Sequence, residues 1–74
     1  MKLRLRALRE DNDKTQQELA IFLNCRQQTY SRYENGVAQP SLETLAKLAV
    51  YFNVSTDYIL NLTDEPTPPK RKKL

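Results

Sequence analysis

Histidine and tryptophan are absent from this 74-residue chain, and cysteine and glycine each occur once. Without histidine there is no His-dependent metal site, His general base or His pH switch. A single cysteine, Cys25, excludes an intramolecular disulfide and a zinc site of the usual spacing. No nucleophile–base pair, metal cluster or phosphate-binding loop can be assembled from these residues. We therefore expect no enzyme activity, no metal and no other cofactor.

Long apolar runs are also missing. No stretch approaches the roughly 18 residues of a membrane span, and the N-terminus lacks the apolar segment of a signal peptide. We therefore expect a cytoplasmic protein that does not bind membranes. A chain of this length forms one domain and buries only about 60% of its unfolded surface. With 39% hydrophobic residues, it can form a small core but not a substrate pocket as well.

The net charge of +3 is unevenly distributed along the chain. Residues 1–33 carry a net +3, residues 34–65 a net −4 and residues 66–74 a net +4. The front of the domain and the tail are therefore basic, and the part between them is acidic. A polyanion would be attracted to one side of such a molecule.

Periodicity and capping signals predict five short helices, so the expected fold class is all-α. The first covers about 3–11, the second begins at Thr15 and the third covers about 26–34. Thr15 and Glu18 match a capping box, Ser41 caps the fourth helix after Pro40, and Ser55 caps the last. The predicted core positions are Leu5, Ala7, Leu8, Leu19, Ala20, Leu23, Tyr30, Tyr33, Leu42, Leu45, Leu48, Ala49, Phe52, Tyr58, Ile59 and Leu62.

Helix-ending residues agree with this map. Gly36 is the only glycine, and it stands where the third helix must end in a left-handed residue. Asparagine tolerates the same conformation, and Asn12, Asn24, Asn53 and Asn61 fall near the other expected ends. From Thr63 onward the periodicity is lost, which predicts an extended, mobile tail.

The pattern of residues 15–36 predicts two helices joined by a tight turn. The second of these helices carries a polar face. That face comprises Gln27, Gln28, Ser31 and Arg32. Arginine can pair bidentately with guanine and glutamine with adenine, so a helix of this kind suits the DNA major groove. The alternative is an ordinary pair of helices within a bundle, with a polar solvent-exposed face.

The same segment resembles the Cro/cI-type (XRE-like) helix-turn-helix family of phage-repressor-like regulators. The matching residues are Thr15-Gln16, Leu19-Ala20, Leu23-Asn24-Cys25 and Ser31-Arg32-Tyr33-Glu34-Asn35-Gly36, followed by Pro40-Ser41-Leu42-Glu43-Thr44-Leu45, Leu48-Ala49, Val54-Ser55 and Asp57-Tyr58. The resemblance implies a five-helix, lambda-repressor-like DNA-binding domain over residues 1–64. Residues 65–74 would then form a flexible, Pro-rich basic tail.

The resemblance also implies roles for the polar residues of the third helix, taken position by position. Gln27, Gln28 and Arg32 fall at positions that contact bases. Ser31 and Thr29 flank the groove and could contact bases or phosphates.

Other positions match residues that contact phosphates in the family, or that hold its helices together. Gln16 resembles the glutamine that holds a phosphate at the start of the second helix. Asn35 matches the residue whose backbone meets the phosphate after the third helix. Arg9 and Glu34 match an ion pair that joins the first helix to the end of the third, which is a structural role.

Several residues depart from the family pattern. Asn24 replaces a glycine of the turn, and the turn should survive with little loss of stability because asparagine tolerates the same dihedral angles. Arg26 replaces a Ser/Thr N-cap worth about 1 kcal/mol, and its guanidinium could reach a phosphate instead. Cys25 takes a valine position and should be a buried hydrophobe. Ile21 and Phe22 occupy positions that are commonly polar, so they either pack against the first helix or form an apolar patch for a protein partner.

These observations predict a sequence-specific transcriptional regulator, a repressor that binds the major groove of double-stranded DNA as a homodimer on a pseudo-palindromic operator. A prokaryotic, phage or mobile-element origin would fit. One alternative is the antitoxin of a toxin–antitoxin pair; another is a protein-interaction module that has lost DNA binding. The basic residues 70–73 could add nonspecific phosphate contacts or could simply increase solubility.

Overall fold

The computed structural model describes residues 2–70, which form five helices and no strand. They are α1 (Leu5–Asp11), α2 (Gln16–Leu23), α3 (Gln27–Glu34), α4 (Leu42–Phe52) and α5 (Thr56–Ile59). The all-α expectation with five helices is confirmed. The longest of these helices, α4, has 11 residues, and none of the helices within residues 2–70 qualifies as a membrane span.

Side-chain caps fix where most of the helices begin. The predicted capping box is present: the Glu18 N–H donates to Thr15 Oγ1 at 3.1 Å, and the Thr15 N–H donates to Glu18 Oε1 at 3.0 Å. Ser41 and Ser55 cap α4 and α5 with their hydroxyl oxygens, which accept from the N–H groups of Thr44 and Tyr58. Arg26, at the N-cap of α3, makes no side-chain cap. The third helix therefore lacks this local stabilisation, as its sequence predicts.

Left-handed residues end the helices at four of the five expected positions. Asn24, Asn53, Asn61 and Gly36 have φ between 54° and 74°. Asn12 lies at the end of α1 as predicted, but its φ is −99° and the left-handed residue is the next one, Asp13. The Asn12 N–H and side-chain amide both donate to α1 carbonyls, including that of Leu8. The chain therefore stays right-handed through this position and reverses one residue later.

The core is formed where all five helices meet. Its most deeply buried large side chains include Tyr30 of α3, Leu5 of α1 and Leu48 of α4. Cys25 is half-buried and packs against this core. The buried hydrophobic residues are Leu3, Leu5, Leu8, Leu19, Ala20, Tyr30, Leu45, Leu48, Ala49, Phe52, Val54 and Ile59.

Three predicted core residues are exposed instead. Ala7 lies two positions from Leu5, which turns it about 200° around α1 and away from the core. Leu42 is 86% exposed at the first position of α4. Leu62 is 70% exposed, because the left-handed Asn61 turns the chain before it. Leu23, Tyr33 and Tyr58 are only partly buried.

The start of α1 is tied to the segment after α5. The backbone N–H of Arg4 donates to the carbonyl of Ile59 at 2.9 Å, and its Nε donates to Asn61 Oδ1 at 2.8 Å. The same guanidinium pairs with Asp64 at 3.1 Å and lies 4.0 Å from the ring centroid of Tyr58. Its partners lie more than 50 residues away in the chain, so the sequence pattern gave no signal for this cluster.

The segment that follows α5 is only partly free of the domain. Residues 63–70 contain no helix, but the Ser55 N–H donates to the Pro66 carbonyl at 3.3 Å. Asp64 is held by Arg4. The expectation of an extended tail is therefore modified for the residues up to Pro66, while residues 71–74 of the predicted basic tail lie outside the described residues.

Substitutions at Asn24 test the left-handed turn between α2 and α3. We expect Asn24→Ala to lower the free energy of unfolding by about 1 kcal/mol, because a Cβ-bearing residue without a short polar side chain is disfavoured there. Asn24→Gly should be nearly neutral, since glycine adopts positive φ without steric cost. Urea unfolding of the three proteins measures both effects. Equal stability of the alanine and glycine variants would contradict the left-handed assignment.

Candidate nucleic-acid interface

The outer face of α3 is polar and accessible. Gln27, Gln28 and Arg32 are exposed, and Ser31 is half-buried beside them. Because successive residues of a helix are about 100° apart, these four positions share one side. The structure thus brings the predicted base-contacting residues together on one surface, defined here as the α3 face.

The inner side of α3 is anchored in the protein. Tyr30 is fully buried in the core, and Glu34 is buried at the C-terminal end of the helix. Tyr33 is half-buried against the same core. α3 also packs closely against α2. These contacts fix the direction in which the α3 face points.

A buried ion pair joins α3 to α1. Arg9 Nε donates to Glu34 Oε2 at 2.6 Å, and Arg9 Nη2 donates to Oε1 of the same carboxylate at 3.2 Å. The Glu34 side chain is 1% exposed and that of Arg9 is 14% exposed. Such a bidentate pair is both strong and geometrically specific. The structure therefore places in contact the two residues that the resemblance pairs.

Gln16 extends this pair to α2. Its Nε2 donates to Glu34 Oε1 at 3.1 Å, while Arg9 Nη1 donates to the Lys14 carbonyl at 3.0 Å, just before α2. One carboxylate therefore connects three helices. This contact of Gln16 was not predicted, because the resemblance assigns the residue only to a DNA phosphate.

The pKa values near the pair reflect both burial and hydrogen bonding. Burial alone would raise the pKa of the Glu34 carboxyl, but the hydrogen bonds that Arg9 and Gln16 donate to it outweigh burial, so the pKa is lowered. Burial raises the pKa of the Tyr30 phenol, and the neighbouring Glu34 carboxylate raises it further. The Tyr30 hydroxyl makes no hydrogen bond of ordinary geometry. At neutral pH the site holds a carboxylate beside a neutral phenol.

Some of the residues predicted to contact phosphates already donate hydrogen bonds within the protein. One hydrogen of the Gln16 amide is used by Glu34, which leaves the second available. The Asn35 N–H already donates to the Ser31 carbonyl at 3.0 Å, and its side-chain amide keeps one hydrogen besides the one that Ser31 Oγ accepts. Arg26 is exposed beside the start of α3, and Thr29 is half-buried.

Ser31 is partly engaged by its neighbour. Asn35 Nδ2 donates to Ser31 Oγ at 3.3 Å. The hydroxyl hydrogen of Ser31 can still be donated to an acceptor outside the protein. Ser31 can therefore offer a hydrogen-bond donor to a base edge or a phosphate.

Of the two alternatives for Ile21 and Phe22, the structure shows local packing for Phe22 alone, and against α4. The Phe22 ring lies 4.5 Å from the ring of Tyr51 in α4, and Ile21 is 68% exposed. The two residues are consecutive and so point about 100° apart on α2. They therefore do not share one buried face.

Residues 5–59 match the sequence profile of the family described as Helix-turn-helix. This range contains the α2–turn–α3 unit and all five helices. The chain belongs to the helix-turn-helix family. The resemblance to its Cro/cI-type, XRE-like members is confirmed.

Curated relatives of this helix-turn-helix chain come from bacteria and phages. It is 40% identical over 70 residues to the HTH-type transcriptional regulator YobD of Bacillus subtilis (strain 168), covering 95% of the chain and 62% of YobD. It is 43% identical over 60 residues to the SPbeta prophage-derived regulator YonR of the same organism, covering 81% of the chain and 56% of YonR. It is 39% identical over 51 residues to the cryptic phage CTXphi transcriptional repressor RstR of Vibrio cholerae, covering 69% of the chain and 46% of RstR.

The helix-turn-helix chain thus spans about half the length of the curated relatives it matches. No solved structure matches it significantly. Within residues 2–70, no group of three or more His, Cys, Asp or Glu side chains is placed to hold a metal ion.

A double-mutant cycle measures how much the buried ion pair contributes to the free energy of unfolding. Arg9→Met and Glu34→Gln should each lower the free energy of unfolding by about 3 kcal/mol or more, because each strands a buried polar partner. The double variant should lose clearly less than the sum. The exposed pair of Arg6 and Glu10, at 3.7 Å in α1, is the matched control, and its coupling should stay below about 1 kcal/mol. Equal coupling in both cycles would contradict the buried pair.

The same proteins give a pH test with a defined sign. The Glu34 pKa is lowered from its ordinary value of 4.5, so its stabilisation is present above that value and is lost as pH falls through the folded-state pKa. Unfolding measured across this range should show a shallower acid loss in Glu34→Gln than in the parent. Parallel pH profiles would show that the pKa of Glu34 is the same in the folded and unfolded states.

Proposed function

We propose that this chain is a sequence-specific DNA-binding transcriptional regulator that places α3 in the major groove. The observation that carries the proposal is the α3 face: Gln27, Gln28 and Arg32 are exposed on a helix whose opposite side is buried. Family membership and the regulators among its relatives support the same function. Such regulators act in the cytoplasm of a bacterial cell, which is the location we propose.

Hydrogen-bond chemistry assigns a role to each residue of the α3 face. Gln27 and Gln28 each carry a donor and an acceptor that match the major-groove edge of adenine. Arg32 carries the fork that matches guanine, or it contacts a phosphate. Ser31 donates its hydroxyl hydrogen to either.

Phosphate contacts would set the register of α3 on the duplex. The free amide hydrogen of Gln16, the guanidinium of Arg26 and the side chains of Thr29 and Asn35 supply donors on both sides of the α3 face. Contacts of this kind position a protein without selecting sequence. In this proposal the four residues give affinity and the α3 face gives specificity.

We further propose repression by occupancy, with two copies on a pseudo-palindromic operator. Two-fold operators match two-fold protein dimers, with recognition helices about 34 Å apart. The domain measures 32 × 26 × 24 Å, so two neighbouring copies span that separation. A dimer bound at a promoter would block polymerase sterically. The relative RstR is itself a transcriptional repressor.

The two alternative functions have weaker support. A protein-interaction module would present apolar anchors on α3, whereas the α3 face is polar. An antitoxin needs a surface for its toxin, and the exposed Ile21 is a candidate contact. Single exposed apolar residues are ordinary on protein surfaces, so this observation does not favour the antitoxin.

Substitutions at Gln28 and Gln16 separate base contacts from phosphate contacts. Gln28→Ala should relax the preferred sequence at one position per half-site, losing about 1–3 kcal/mol of discrimination, while nonspecific binding stays nearly intact. Gln16→Ala should weaken binding to all sequences alike. Site selection from a random DNA library, followed by fluorescence anisotropy, measures both effects.

Gln17→Ala is the matched control, because Gln17 is an exposed glutamine of α2 outside the α3 face. It should retain the parent's sequence preference. A Gln28→Ala protein that selects the same sites as the parent would show that α3 does not contact bases through this residue.

We also propose that the basic residues 70–73 add phosphate contacts without sequence preference. Replacing all four by serine keeps Pro66 and its hydrogen bond to Ser55 in place. Affinity for operator and random DNA should fall by similar factors, and the log–log salt slope should decrease by up to about 3.6, at 0.9 per phosphate contact. Unchanged affinity and slope would leave the tail with a solubilising role.

A further inference from the structure

α4 carries a second apolar stripe on the side that faces solvent. Leu42, Ala46 and Val50 are spaced four residues apart and therefore line one side of the helix. Leu42 is 86% exposed, Val50 is 60% exposed and Ala46 is also exposed. The core side of α4 is separate and comprises Leu45, Leu48, Ala49 and Phe52.

Phe22 of α2 turns the part of this stripe formed by Ala46 and Val50 into a groove. A cavity of about 380 Å³ is lined by Phe22, Glu43, Ala46, Lys47 and Val50, and apolar atoms form nearly all of its surface. The Phe22 ring is held at the edge by the ring of Tyr51, 4.5 Å away. No residue of the α3 face lines this groove. The groove and the α3 face are therefore formed by different residues.

One acidic and one basic side chain lie along the groove. Glu43 and Lys47 are both exposed and 3.5 Å apart, one turn from each other on α4. If a second α4 lay antiparallel to the first, the order of these charges would be reversed in the copy. Each glutamate would then face the lysine of the other chain, so the groove is electrostatically complementary to itself.

We propose that this outer face of α4 binds the same face of a second copy of the chain, with the two helices antiparallel about a two-fold axis near Ala46. The axis places the small Ala46 side chains opposite each other, which allows the helices to approach closely. Leu42 of each copy then packs against Val50 of the other. An interface of this type is isologous, as two-fold dimers require.

This inference rests on the proposed function, because it names the surface by which the operator-bound dimer is formed. A second copy is the occupant that the charges favour. A uniformly acidic or basic partner would meet one unfavourable charge in the groove, whereas a two-fold copy pairs both. A single helix pair is a small interface, so the dimer should be weak in solution and stronger on DNA.

Charge reversal tests the antiparallel pairing. Glu43→Lys gives a chain with two lysines at these positions, and Lys47→Glu gives a chain with two glutamates. Each variant alone should self-associate at least about tenfold more weakly than the parent, because both intermolecular pairs become repulsive. An equimolar mixture of the two should recover association, since each lysine then faces a glutamate. The intrahelical pair is not restored by mixing, so recovery reports only contacts between chains.

Sedimentation equilibrium on the full chain at low salt, from about 1 μM to about 1 mM, measures these associations in the range of weak interfaces. Arg6→Glu and Glu10→Lys repeat the reversal on the exposed α1 pair and should leave association unchanged. Circular dichroism checks that each variant is folded. A parent that stays monomeric overturns the proposal, and so does a mixture that associates no better than its components.

DNA binding provides a readout that separates this inference from the proposed function. The two α4 variants should bind a single half-site as the parent does, but they should bind the two-half-site operator less cooperatively. Association lost in solution together with unchanged half-site binding supports the α4 surface. If the parent binds no DNA sequence selectively, the proposed function fails, while the sedimentation result still decides the α4 surface.

Discussion

The buried carboxylate of Glu34 is the constraint on which the arrangement of the first three helices depends. Removing a carboxylate from water costs several kcal/mol unless its oxygens are matched by donors. Here those donors come from Arg9 in α1 and Gln16 in α2. Apolar contacts tolerate small sliding movements, whereas a bidentate ion pair does not. The carboxylate therefore sets the register of α3 against both of its neighbours.

This constraint matters because α3 has little stability of its own. It contains eight residues and begins at Arg26 without a side-chain cap, and isolated helices of that length are unstable in water. The position of the α3 face therefore depends on the buried side of the helix, where Tyr30 and Glu34 are held. Gln16 belongs to both systems, since its amide donates to Glu34 and retains a hydrogen for a phosphate. Packing and the proposed DNA contact thus share one side chain.

Local signals in the sequence predicted local structure well. The capping box at Thr15 and the left-handed Asn24 depend on residues within one turn, so pattern and chemistry identify them. The exposed Leu42 was not predicted, because helical spacing shows that residues share a side but not whether another element covers it. The Arg4 cluster was missed for a related reason: its partners are adjacent only after folding. The α3 face was predictable because its pattern is local, but its contacts with DNA bases stay a prediction.

The two sides of α4 differ in burial: the core covers one side, and nothing within residues 2–70 covers the apolar residues of the other. The core covers half of the apolar residues of α4, namely Leu45, Leu48, Ala49 and Phe52. Ala46 and Val50 are not needed for the folding of a single copy, and exposing them to water carries a hydrophobic cost. The Glu43–Lys47 pair beside them is neutral overall and would impose an antiparallel register on a second copy. A single copy can fold with this surface exposed. In the proposed two-fold dimer, the second copy covers the remaining apolar surface of α4 and pairs its charges.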